Sequence, residues 1–127
     1  MAFSDLFKPK MPEPGPGEIS LLDALTAMTK GGVFIDVRSA QDYEKGHIPG
    51  AKLVDLTKLR ESPVDAIWAN DPFAETDKPI VVVSATLKHA GAIAHLLCEQ
   101  GYDAHALAGG LLAWVADGQP LIPGPPR

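Results

Sequence analysis

Pro79–Ile80–Val81–Val82–Val83–Ser84–Ala85–Thr86–Leu87–Lys88–His89–Ala90 reads as a strand that passes through a short loop into a helix. Four successive β-branched apolar residues, Ile80 to Val83, suit a strand covered on both faces, which is the environment of a central parallel strand. The Ala/Leu-rich run from His89 to Gln100 follows as a helix, and Gly101 closes it where a left-handed residue is wanted. A strand, a loop and a helix in that order are the unit of an α/β fold, whose ligands meet the carboxyl ends of the strands. The start of a helix there offers free N–H groups and a partial positive charge, both suited to an anion. Ser84 occupies the strand tip. A cysteine at that position would form a stabilised thiolate, whereas a serine reacts only with help from a general base.

The same alternation extends in both directions. Ser20 caps a helix in which Leu21, Leu22, Leu25 and Met28 recur at helical spacing, with Asp23 in its first turn and Gly31–Gly32 at its end. Val33 to Val37 is a short apolar strand. Ser39 caps a brief helix through Asp42, Tyr43 and Glu44 that stops at Gly46. Ile48–Pro49–Gly50 is a turn and Ala51 to Val54 a short strand. Thr57 to Asn70 holds one or two short helices broken by Pro63. Asp103 to Leu107 is a further strand, and Gly109–Gly110 opens a last helix, Leu111 to Asp117, stopped by Gly118 and Pro120. The expected fold class is α/β, a mainly parallel sheet with helices on both faces.

Three segments follow. Residues 1–17 form an arm rich in Pro and Gly, extended or loose, in which Phe3, Leu6 and Phe7 either fray or make one amphipathic turn. Residues 18–121 are the folded domain, and 122–127 a Pro-rich tail expected to be unstructured.

Composition narrows the function. The chain has 127 residues, 46% hydrophobic and 21% charged, as in one ordinary globule. A net charge of −5 argues against nucleic acid or an acidic membrane as partner. The single cysteine, Cys98, excludes an internal disulfide, and the four histidines have no metal-ligand spacing, so no cofactor is expected. The start of the chain lacks the apolar core of a secretory signal, and no apolar run reaches the roughly 18 residues that span a bilayer. A cytoplasmic protein is expected.

Phe34–Ile35–Asp36–Val37–Arg38, then Tyr43–Glu44–Lys45–Gly46–His47–Ile48–Pro49–Gly50–Ala51, then Gly101–Tyr102 and Gly109–Gly110–Leu111–Leu112–Ala113–Trp114 occur in one order and spacing. Together they resemble the rhodanese (thiosulfate sulfurtransferase) domain family from about Glu18 to Leu121. The resemblance implies one α/β domain with a sheet of about five strands. It also implies a loop after the central strand that reads Cys-x-x-Gly-x-Arg in active members, where the Cys carries a persulfide and the Arg binds the anionic donor. In the same register this chain reads Ser84, Ala85, Thr86, Leu87, Lys88 and His89.

Each departure has a consequence. Ser84 cannot hold sulfur as a persulfide. Leu87 disfavours the positive φ that glycine permits, and it brings an apolar side chain to the mouth of the loop. His89 lacks the bidentate fork of arginine, and Lys88 restores some positive charge. The domain is therefore read as lacking sulfurtransferase chemistry. Residues 84–89 then serve as an anion-binding loop for a small anion or a protein partner. Two alternatives stand beside this: sulfur transfer through another thiol, Cys98, and a structural or dimerisation role. Cys98 lies near the far end of the helix, roughly 15 Å from Lys88 at 1.5 Å per residue, and an inert thiol is the plainer reading. Ser84 with His89 and no evident acid makes a weak hydrolase constellation. Asp36 and Arg38 are read as a charge-assisted tie between loops, through Glu44 or loop backbone, rather than as substrate contacts. His47 is read as a hydrogen bond that ties its turn, and Trp68 and Trp114 as core or groove aromatics.

Overall fold

The computed structural model describes residues 13–126, so the expectations for Phe3, Leu6, Phe7 and the first prolines lie outside the described residues. Five strands form one parallel sheet: β1 (Glu18–Ile19), β2 (Val33–Asp36), β3 (Lys52–Leu53), β4 (Ile80–Val83) and β5 (Ala104–Leu107), in the order β1-β5-β4-β2-β3. Six helices accompany them: α1 (Leu21–Thr29), α2 (Ala40–Lys45), α3 (Leu56–Glu61), α4 (Pro63–Trp68), α5 (Leu87–Glu99) and α6 (Gly110–Ala116).

The central position of β4 follows from its side chains. All four are buried, so both faces need cover. Alternate residues point to opposite sides of a strand, and the core divides accordingly. Ile80 and Val82 pack with Leu59, Ile67, Ile93 and Leu97 from α3, α4 and α5. Val81 and Val83 pack with Leu21 and Ala24 of α1 and Trp114 of α6. Full burial of each such aliphatic chain contributes about 1.5–3 kcal/mol. Trp114 meets Phe34 edge-on, ring centroids 5.7 Å apart, and its Nε1 donates to Pro120 O at 2.8 Å. Trp68 lies beside Tyr102 at 5.9 Å.

The caps expected at Ser20 and Ser39 are present: each side chain accepts the N–H of the residue three ahead, Asp23 and Asp42. Pro63 separates two helices by opening the second. Ser62 ends α3 and caps α4 with Pro63 in its first turn, where no N–H is needed.

Two expectations are corrected. The arm is not loose up to Gly17. Gly15 N donates to Glu18 Oε1, Ala106 N donates to Gly17 O, and Glu18–Ile19 then adds β1 to the sheet edge. The tail is also fastened through Gly124. His47 and Ile122 exchange both backbone bonds, at 3.0 and 2.9 Å, and Gly124 N donates to Glu44 O at 3.0 Å. In both cases free backbone groups at an edge find carbonyl and N–H partners that the local sequence does not advertise. No helix among the described residues is long and apolar enough to cross a membrane.

Candidate functional site

β2 and β4 are neighbours in register, Asp36 beside Val83, yet their chains leave in opposite directions. β2 continues to β3 on one side of the sheet and β4 continues to β5 on the other. Diverging connections open a crevice at the carboxyl ends of the two strands, the usual ligand position of an open parallel sheet. Arg38 follows β2 and Ser84 follows β4. Both line a cleft of about 350 Å³, with Leu87 from α5, Asp42 from α2 and Gly110 and Leu112 from α6 around it.

Ser84 is buried, 8% exposed, and its Oγ lies 2.6 Å from His89 Nδ1. When the hydroxyl donates, Nδ1 is the acceptor and the ring carries its proton on Nε2. His89 is exposed and lines a separate cleft of about 330 Å³ with Arg60, His95 and Glu99. The two residues thus form a partition, Ser84 toward one cleft and His89 toward the other.

Between them the chain starts a helix at once. Thr86 is extended, φ −131° and ψ 151°, and its Oγ1 accepts the His89 N–H at 3.1 Å as the cap of α5. Leu87 is the first helical residue. Among the described residues, positive φ outside glycine occurs only at Ala69 and Asn70, so Leu87 does not take the backbone that a glycine would permit. Leu87 is 39% exposed and borders the cleft. Ala85 and Lys88 are exposed. Among the described residues the N–H groups of Ala85, Thr86, Leu87 and Lys88 donate to no protein acceptor. The Thr86 hydroxyl oxygen accepts the capping bond, which does not use the hydroxyl's own hydrogen.

Asp36 is 1% exposed, and the structure joins it to Arg38. Arg38 Nε reaches Oδ1 and Oδ2 at 3.0 and 3.1 Å, Nη2 reaches Oδ2 at 2.8 Å, and Nη2 also donates to Gly46 O at 2.7 Å. The arginine therefore ties β2 to the turn after α2. Its partners are Asp36 and loop backbone, not the Glu44 side chain. His47 is buried at 5%, stacked flat on Tyr43 at 3.7 Å, with Nδ1 2.8 Å from Tyr43 O. That placement holds the turn beneath α2 and keeps His47 away from the cleft lining.

The structure brings only some of the sequence-predicted residues to one cleft: Thr86, Lys88 and His89 do not line it, and Asp36 lies buried beneath Arg38. Ser84, Ala85, Leu87 and Arg38 come together at the cleft, while Glu44 and His47 brace the turn behind it. Asp42, Gly110 and Leu112 also line the cleft and were not singled out as site residues. The signal lay in Gly109–Gly110, read as a helix start and a mark of the family resemblance but not as part of the site. Cys98 is exposed near the end of α5, with Sγ 3.1 Å from Ala104 O, on the edge of a different cleft of about 230 Å³.

A model of the rhodanese-like domain family matches residues 20–117 of the chain. The chain is 30% identical over 100 residues to the thiosulfate sulfurtransferase GlpE of Pseudoalteromonas translucida, a match covering 77% of this chain and 88% of that protein. It is 34% identical over 85 residues to the GlpE of Pseudomonas paraeruginosa, covering 66% and 70% respectively. Among solved structures, a rhodanese-related protein of Thermoplasma volcanium superposes with a TM-score of 0.65 at 24% identity, over 83% of this chain and 96% of that one, a likeness of fold.

Proposed function

The chain belongs to the rhodanese-like domain family, and we propose that it is a member without sulfurtransferase activity at the β4 tip whose cleft binds an anionic group. One observation carries this reading: Ser84 stands at the β4 tip with its oxygen 2.6 Å from His89 Nδ1. The family's active members are expected to hold a cysteine and an arginine at these two positions. An alcohol oxygen does not accept a sulfane sulfur as a thiolate does. The free N–H groups of Leu87 and Lys88 and the Lys88 charge at the start of α5 favour an anion, carried by a small molecule or by an acidic side chain of a partner protein.

The test is sulfur transfer from thiosulfate to cyanide, run beside an authentic rhodanese, together with a sulfate and thiosulfate titration followed by amide resonances. No turnover, with shifts at residues 84–89, is the expected result. Thiocyanate production that survives Cys98→Ala overturns the inactivity of the β4 tip. Unmoved resonances at saturating anion overturn the binding role.

A second reading rests on the exposure of Cys98. A sulfur carrier at this thiol would gain about 32 Da, one sulfur atom, on Cys98 after incubation with thiosulfate. An unchanged intact mass removes it.

A further inference from the structure

We propose that Ser84 and His89 form a nucleophile–base dyad that accepts an acyl group from a short apolar ester bound in the cleft. The inference goes beyond anion binding and rests on geometry that the sequence left weak. Ser84 Oγ and His89 Nδ1 are 2.6 Å apart, inside the range for proton transfer between nucleophile and base. The serine is held in place, since its residue is buried and follows the fully buried β4. It nevertheless lines an open cleft of about 350 Å³, room for a small ligand. Leu87, Leu111 and Leu112 line the cleft beside Arg38 and Asp42, and these three leucines give a short apolar acyl chain a surface to rest on. His89 opens on a second cleft, so solvent can reach the ring from the side away from the substrate.

The chemistry balances without a cofactor. The Ser84 hydroxyl proton passes to His89 Nδ1 as Oγ bonds to the ester carbonyl carbon. The resulting oxyanion draws on the N–H groups that the start of α5 leaves without protein acceptors. The carbon–oxygen bond to the leaving alcohol then breaks, the alcohol takes the proton from His89, and acyl-Ser84 remains. Water later cleaves it by the same steps in reverse order of roles. Glu99 is paired with His95 at 3.1 Å, and among the described residues no carboxylate bonds His89, so the pair is a dyad without an orienting carboxylate there. Release of the acyl group by water is taken as the slower step.

The test uses the full chain and an ethyl fluorophosphonate, which bonds phosphorus to the serine oxygen and expels fluoride. Peptide mass mapping reads the site. Ser20, Ser39 and Ser62 serve as internal references, because each accepts a helix-capping bond and has no histidine partner. The expected result is an adduct on Ser84 that forms well ahead of these three. It is absent in Ser84→Ala and roughly 100-fold slower in His89→Asn, the range for loss of a general base. A burst of nitrophenolate from p-nitrophenyl acetate, near one per chain, accompanies it. Labelling of Ser84 no faster than the capping serines overturns the proposal from the wild-type protein alone, as does equal labelling of a folded His89→Asn. Sulfate titration of the same samples separates the two readings. Amide shifts without labelling sink the dyad and leave anion binding, and labelling without shifts does the reverse.

Discussion

Arg38 closes a fork on Asp36 and, through the same Nη2 at 2.8 Å from Oδ2, reaches Gly46 O at 2.7 Å. One buried ion pair thereby joins the end of a core strand to the turn that follows α2. The geometry explains why an ionised aspartate is tolerated at 1% exposure: every one of its contacts is to a positive or N–H donor, including the Arg38 backbone N–H at 3.0 Å.

Asp36→Ala leaves the guanidinium half-buried without its carboxylate. We expect a loss of about 3–5 kcal/mol in urea unfolding, the usual consequence of removing one partner of a buried pair. Adding Arg38→Met should restore part of that loss. A single mutant as stable as the wild type would mean that the pair is bypassed by water.

Thr86 caps α5 through the His89 N–H. Thr86→Ala should lower stability by about 1 kcal/mol, a fall of roughly 4 °C in Tm for a domain of this size. Thr86→Ser should keep most of it. Differential scanning calorimetry decides between them, and equal melting of the alanine and serine forms would contradict the capping role.

Ser84→Cys puts a thiol beside His89 and near the start of α5. Its ionisation is expected below the ordinary value of about 8.5, read from the pH dependence of iodoacetamide alkylation at that residue. Alkylation that follows a free-thiol curve would mean that the Thr86-capped loop no longer supports a thiolate. Sulfur transfer should stay slow until Leu87→Gly and His89→Arg are added, because the capped helix start replaces the glycine turn and the imidazole replaces a fork. Full activity in the single variant would refute this.

Ile122→Pro removes the N–H that Ile122 gives to His47 O at 2.9 Å. The expected cost is about 1 kcal/mol, with faster hydrogen exchange at the His47 amide. Unchanged exchange there would show that the bridge does not protect the turn.

Much of the fold was legible in short-range signals. The apolar run at Ile80–Val83, the serine caps at 20 and 39 and the glycine after α5 each act within one turn or strand, so local chemistry reveals them. β1 did not announce itself, because two residues carry no period and its partner residues in β5 lie 88 positions away in sequence, a separation of the kind that local patterns do not see. The fastening of Ile122 and Gly124 is hidden for the same reason, as backbone bonds do not depend on side-chain identity. At the site, Ser84, Leu87 and His89 stood out against the motif expected of an active member. Their arrangement did not: the helix begins one residue after Thr86 and uses its hydroxyl oxygen as the cap. That early start places residue 89 in the first turn, where its ring reaches back to the strand tip.

The alternation along β4 has an experimental use. Ile80 and Val82 sit among the side chains of α3, α4 and α5, and Val81 and Val83 among those of α1 and α6. Isotope labels on four consecutive methyl-bearing residues would therefore report on two separately packed layers at once. A ligand at the cleft that perturbs Val83 but spares Val82 would be seen from one side of the sheet only, and the spectrum itself would say which side.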